Sequence, residues 1–252
     1  MDVEALLVWY AHVRRSLPWR ETRDPYALLV SEVMLQQTQA ARVVPYYTAF
    51  LAAFPDPPAL AAAPADDVLR AWSGLGYNRR ALALRAAAQH VARDGWPPDL
   101  QELPGVGPYT AAAVASFAWD APVAAVDTNV RRLLRRHDGT DRAPRALAAR
   151  AGQLLAPERP ATFNQATMEL GATVCRPRRP DCARCPVAPT CAWDGTDPVA
   201  SRGRPRQRFE DTDRWLRGRL VAARLHDEPP PAGIDPDRLA RVTAGLERDG
   251  LL

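Results

Sequence analysis

Four cysteines, Cys175, Cys182, Cys185 and Cys191, lie close together towards the C-terminal end of the chain in the pattern C-x6-C-x2-C-x5-C, and the chain has no others. Four thiolates at short spacing, with none left over, are what a metal ion or an iron–sulfur cluster requires. Structural zinc sites usually join two short C-x2-4-C hooks, and here only Cys182 and Cys185 form one. Two disulfides are the remaining reading. They suit an exported protein, whereas the opening MDVEALLVWYAHVRR is charged early and lacks the long apolar core of a signal peptide.

At 252 residues the chain holds one large or two modest domains. No run approaches the roughly 18 apolar residues of a membrane span, so a soluble, cytoplasmic protein without a membrane partner is expected. A formal charge of +4 and a pI near 9.1 suit a nucleic-acid binder. The chain contains no lysine, so apart from four histidines every basic side chain is arginine. No lysine amine is therefore present to form a Schiff base with a sugar aldehyde.

The chain reads as all-α. Apolar periodicity of helical type recurs in 2–16, 27–38, 42–53, 66–71, 80–93, 108–118, 128–136, 144–155 and 162–174. Prolines and glycines punctuate it, among them Pro55–Pro58, Gly74–Gly76, Gly95–Pro98 and Pro104–Gly107. Beyond the cysteines, residues 196–209 read as a basic linker. Residues 210–252 then carry two helical patterns, DRWLRGRLVAARL and PDRLARVTAGLERDGLL, split by Pro229–Pro231.

Three segments carry chemistry. In Leu103-Pro104-Gly105-Val106-Gly107-Pro108-Tyr109-Thr110, two glycines around one apolar residue allow a tight turn with positive φ. The amides of the following helix then face a ligand and suit a phosphate. In Val126-Asp127-Thr128-Asn129-Val130-Arg131-Arg132, Asp127 stands where an N-cap is expected. In Ser31-Glu32-Val33-Met34-Leu35-Gln36-Gln37-Thr38-Gln39, Glu32 interrupts the apolar run ALLVSEVML. A glutamate there is costly unless it is exposed or has work to do.

Together these segments resemble the endonuclease III/MutY branch of DNA glycosylases. The cysteine spacing resembles that branch's [4Fe–4S] loop, and L-P-G-V-G its helix–hairpin–helix element. The segment S-E-V-M-L-Q-Q-T-Q matches the MutY-type adenine glycosylases nearly letter for letter. Leu17-Pro18-Trp19-Arg20 and Trp72-Ser73-Gly74-Leu75-Gly76-Tyr77 resemble two further family segments, and the resemblance covers residues 1–195. It implies a two-domain helix–hairpin–helix glycosylase fold with DNA in the cleft between domains. Residues 1–22 with 135–195 would form the cluster domain, 23–134 a six-helix bundle, and 196–252 a linker and a small appendage. That appendage is too short for the Nudix-like domain of full-length MutY enzymes; a winged-helix-like module or a partner-binding tail is expected instead.

The resemblance also implies roles. Glu32 would be the catalytic acid and Asp127 the carboxylate facing the cationic sugar, with Asn129 and Tyr109 orienting Asp127 or the water. Gln36 and Tyr77 would enter the DNA stack, and Gly105, Val106 and Gly107 would hold one phosphate without reading sequence. Arg176, Arg178 and Arg179, between the first two cysteines, would meet the backbone. Cys175, Cys182, Cys185 and Cys191 would hold a [4Fe–4S] cluster. Bifunctional relatives carry a lysine where this chain has Tyr109, so a monofunctional glycosylase is expected. It would act, as a nucleoid-associated monomer, on double-stranded DNA with a mispaired or damaged base. Adenine opposite 8-oxoguanine or guanine is the expected substrate. Uracil, thymine or hypoxanthine excision on the same scaffold, and a non-catalytic iron–sulfur DNA-binding protein, are the alternatives.

Overall fold

The computed structural model describes residues 1–196 and 208–252; most of the 196–209 linker lies outside the described residues. The regular structure described is helical. The helices are α1 (Val3–Val13), α2 (Pro25–Leu35), α3 (Ala40–Ala53), α4 (Pro57–Ala62), α5 (Ala65–Trp72), α6 (Arg79–Asp94), α7 (Pro108–Trp119), α8 (Thr128–Asp138), α9 (Pro144–Leu154), α10 (Pro160–Thr173), α11 (Asp213–Leu225) and α12 (Pro236–Arg248). None is long and apolar enough to cross a membrane. The all-α reading holds, and each periodic segment of the sequence corresponds to a helix within a few residues.

One helix was not expected. Pro57 and Pro58 read as a break, yet they open α4 at its first two positions, with Asp56 accepting from Ala59 N at 2.8 Å. Proline suits a helix start, where its missing N–H has no partner to lose.

The chain forms two compact units, the described parts of Met1–Glu32 with Val106–Ser201 and of Val33–Gly105 with Arg202–Leu252. In the first, α1 and α10 pack through Leu6, Leu7, Tyr10, Phe163 and Leu170, and Val174, Cys175 and Val187 of the cysteine region join this core. Each large side chain so buried contributes about 1.5–3 kcal/mol. Buried Glu169 on α10 accepts from Arg15 Nε at 2.6 Å and from Arg20 Nη2 at 2.6 Å. Leu17-Pro18-Trp19-Arg20 is therefore structural within this unit: Trp19 is buried and Arg20 ties the segment to α10.

The second unit packs Phe50 edge-on against Phe54 and Trp72, with ring centroids 5.0 and 5.9 Å apart. The appendage belongs to this unit. Arg224 of α11 grips Asp66 with bonds of 2.6 and 3.1 Å, and Arg70 Nε donates to Leu225 O at 3.3 Å. Leu216, Leu220, Val221, Ala223 and Leu225 on α11 and Val242 and Leu246 on α12 are its buried residues. The winged-helix expectation fails here: residues 208–252 form a 3-10 turn and two helices without a strand.

Candidate active site

Glu32 lies on α2 among apolar neighbours and is 4 % exposed. The preceding Ser31 is satisfied locally, its Oγ donating to Leu28 O at 2.7 Å. Glu32 is not so provided for. The phenol of Tyr109, near the start of α7, reaches its carboxyl and also stands 3.9 Å from Met168 Sδ, but Oε2 of Glu32 is buried without a hydrogen-bond partner among the described residues. Burial pushes the Glu32 carboxyl up to about 7; the Tyr109 bond pulls it down, and the Asp127 charge adds to the upward push. Burial, with the nearby Glu32 and Asp127 charges, pushes the Tyr109 phenol well above its ordinary value. At neutral pH Tyr109 is thus a donor, and Glu32 has a substantial protonated fraction.

Asp127 is held quite differently. The loop before it is knotted by buried Asn164 of α10, which accepts from Ala125 N at 3.0 Å and donates to Val123 O at 2.9 Å. Asp127 caps α8, its Oδ1 accepting from Val130 N at 2.7 Å, and its Oδ2 accepts from Asn129 Nδ2 at 2.7 Å. Asn129 is itself fixed by Arg132 Nη2 at 2.9 Å, and the same nitrogen donates to Gly171 O at 2.7 Å. Gly171 is where α10 runs against α8. A Cβ there would meet Asn129 Cβ at 2.8 Å and Asn129 O at 3.0 Å, so the close approach needs glycine. Both carboxylates, Tyr109 and Asn129 lie in the first unit.

Residues 30–157, which hold both carboxylates and the glycine turn, match the family described as HhH-GPD superfamily base excision DNA repair protein. The chain belongs to this superfamily. It is 44 % identical to an adenine DNA glycosylase of Mycobacterium tuberculosis, over 98 % of this chain and 86 % of that protein. It is 41 % identical to the adenine DNA glycosylase of Homo sapiens, over 90 % of this chain and 43 % of that protein. The structure of a thermostable thymine-DNA glycosylase superposes with a TM-score of 0.71 at 32 % identity, covering 76 % of this chain and 94 % of that one. An endonuclease III–DNA complex shares the fold, with a TM-score of 0.66 at 23 % identity over 75 % of this chain and 92 % of that one.

The cysteine loop of this HhH-GPD chain carries free thiols, so the disulfide reading fails. Cys175, Cys182, Cys185 and Cys191 together line one cavity of about 100 Å³ with Arg136, Val187 and Trp193. Burial pushes the Cys175 and Cys185 thiols up, and the Arg136 guanidinium, 3.6 Å from Cys175 Sγ, pulls Cys175 back down. Two arginines one turn apart on α8 hold the loop. Arg132 Nε donates to Cys175 O at 2.8 Å, and Arg136 Nη1 to Arg176 O at 2.7 Å. Helix α8 therefore carries Asp127 at its start and grips the cysteine loop along its flank. Among the described residues no three His, Cys, Asp or Glu side chains converge as a single-ion site does.

In the second unit, Gln36 and Tyr77 sit on turns joined by one side chain. Arg80 donates to Val33 O, Met34 O and Gln36 O at 2.8, 3.2 and 2.6 Å, and to Leu75 O and Gly76 O at 3.3 and 2.9 Å. Burial lowers Arg80 to about 10, which leaves it charged at neutral pH. Gln37 and Tyr77 stand at φ +57° and +52°. Left-handed backbone in non-glycine residues is uncommon, and it concentrates at functional sites. Arg179, at φ +50°, is another case, as are Asp120 and Asp227 away from these turns, and Arg176, Arg178 and Arg179 are all exposed.

The glycine turn departs from expectation in one respect. Gly105 has φ +76°, but Gly107 is extended at φ −91° and serves as the N-cap of α7. Val106 is buried between them. Sequence reasoning missed Arg80, Asn164, Arg132, Arg136 and Gly171. Only the Arg-x3-Arg spacing on an amphipathic helix hinted at a shared target.

Proposed function

We propose that this chain is a monofunctional DNA glycosylase of base excision repair that removes adenine mispaired with 8-oxoguanine or guanine. The observation that carries the reading is Glu32: a buried carboxyl, pushed up to about 7, with the Tyr109 phenol beside it and Oε2 unpartnered among the described residues. The adenine glycosylase names of relatives 44 and 41 % identical support the target base.

In this mechanism the target base leaves the stack, at a cost of a few kcal/mol. Glu32 donates its proton to the purine, at N7, which turns the base into a neutral leaving group. The C1′–N9 bond breaks, the electron pair leaves with the base, and positive charge develops on the sugar. Asp127, aimed by Asn129 and the Val130 amide, stabilises that charge. Water adds to C1′ and releases its proton, leaving an abasic site. Strand cleavage through a lysine Schiff base has no residue to perform it, because the sequence holds no lysine. The four cysteines would hold a [4Fe–4S] cluster, whose contribution is to fix the loop that carries Arg176, Arg178 and Arg179. Gln36, Tyr77, Gly105, Val106 and Gly107 meet the DNA, and the protein works as a monomer.

A single-turnover assay on duplexes with A:8-oxoG, A:G, A:C, U:G, T:G and hypoxanthine:T, with and without alkali, tests this. Alkali-dependent cleavage at A:8-oxoG and A:G, lost in Glu32→Gln, is expected. Cleavage confined to T:G or U:G would instead support the second reading, which the 32 % identity to a thymine-DNA glycosylase structure keeps in view. Alkali-independent strand cleavage would sink the monofunctional assignment.

A further inference from the structure

The appendage places one arginine on the aromatic ring that leads the proposed DNA-facing turns. Tyr77 is 37 % exposed. Arg80 lies 5.4 Å from its ring centroid, and Arg214 of α11 lies closer, at 4.1 Å. Phe209, 54 % exposed, stands 5.7 Å from the same Arg214 guanidinium. A guanidinium stacked on a ring keeps its N–H donors free in its own plane. Other arginines of the appendage spend theirs on carboxylates: Arg217 on Asp249, Arg224 on Asp66, and Arg238 and Arg241 on Asp213. Arg214 is exposed, and among the described residues it has no hydrogen bond or ion pair.

The surroundings suit a polyanion. Asp249 of the appendage, with Gln36, Arg79, Arg80, Pro104 and Gly105, lines an open groove of about 510 Å³. The Asp249 charge is answered by Arg217 and by Arg79 at 3.5 Å, so this wall does not present an unpaired carboxylate. The appendage is also anchored, through the Arg224–Asp66 pair, and ordering it costs little when DNA binds.

We propose that Arg214 is a DNA contact supplied by the appendage. With one face on Tyr77, its donors take a planar pair of acceptors on the strand that Tyr77 meets. Those acceptors are the two free oxygens of a phosphate or the N7 and O6 edge of a guanine. The inference rests on the reading of Tyr77 as a DNA-facing residue.

The test is duplex binding followed by fluorescence anisotropy, with every protein carrying Glu32→Gln so that binding is measured without excision. Arg214→Gln and Arg214→Lys are compared, with Arg224→Gln as a control for docking of the appendage, and Tm is recorded for each. Arg214→Gln is expected to weaken binding about tenfold at unchanged Tm, with Arg214→Lys recovering only part of the loss. A uniform loss on all duplexes, with the salt dependence reduced by about one phosphate, assigns the phosphate. A loss confined to duplexes with guanine opposite adenine assigns the base edge, because the N7 of 8-oxoguanine carries a hydrogen and cannot accept. Unchanged affinity overturns the proposal, as does tighter binding, which would make Arg214 a cover over Tyr77. A loss matched by Arg224→Gln together with a fall in Tm also overturns it, since Arg214 would then be structural. Wild-type protein that excises no adenine would refute the proposed function and leave this binding comparison intact.

Discussion

Two regions of the first unit each bury a glutamate, and they treat it in opposite ways. On α10, Glu169 is 1 % exposed, and two arginines answer both of its oxygens. Burial alone would raise that carboxyl, but the Arg15 and Arg20 bonds outweigh it and hold Glu169 below its ordinary value. On α2, Glu32 is similarly buried and receives only a phenol, and it rises to about 7. A buried charge that is paired on all sides serves the fold. One left half-satisfied costs stability and persists where the proton has a use.

The comparison can be broken by exchanging the roles. Glu32→Gln should slow adenine excision by about 10²- to 10⁴-fold in single-turnover assays while leaving the protein folded. A loss under tenfold would remove Glu32 from the chemistry. Glu169→Ala should do the reverse, costing about 3 kcal/mol in urea unfolding by stranding Arg15 and Arg20, with excision per folded molecule retained.

Acidity sharpens the same contrast. The folded-state value of Glu32 is raised from 4.5 to about 7. The stabilisation relative to an ionised glutamate is therefore complete below about pH 4.5 and is lost as pH rises through 7, a swing of about 3 kcal/mol. Glu32→Gln should remove that loss and unfold at higher denaturant than wild type at pH 8. The excision rate should fall about tenfold per pH unit above 7 as the acid form is depleted. A flat profile between pH 6 and 9 would contradict this.

Gly171→Ala should cost about 1–3 kcal/mol, because its Cβ meets Asn129 at 2.8 Å, and should also lower excision by displacing the start of α8. The smallest effect belongs to Tyr109→Phe. Its phenol bond lowers Glu32, so its removal should move the alkaline limb of the rate profile upward. Movement downward would show that Tyr109 does not donate to Glu32.

Legibility followed distance along the chain. Glu32, Asp127, Asn129 and the four cysteines stand in short motifs whose chemistry is local, and Asp127 caps α8 as its position suggested. The residues that aim them were hidden because their partners are remote. Arg20 reaches Glu169 across 149 positions, Arg80 reaches Gln36 across 44, and Asn164 reaches Ala125 across 39. Glycine 171 gave no signal at all: inside a helical pattern it reads as a tolerated defect, and only the Asn129 backbone against it explains the choice. The appendage was legible as two helices, but its surface over α5 was not, because Arg224 and Asp66 stand 158 positions apart.

The two units are braided along the chain, each assembled from an early and a late stretch. This sets an order on biosynthesis. Arg15 and Arg20 leave the ribosome long before Glu169 exists, and Asp66 waits still longer for Arg224. The first unit lacks partners until the stretch through the cysteines is made, and the second until α11 and α12 have followed. Such long-range closure predicts slow folding and a nascent chain that leans on chaperones. The same braiding ensures that a ribosome stalled before α11 releases a chain with its second unit unfinished.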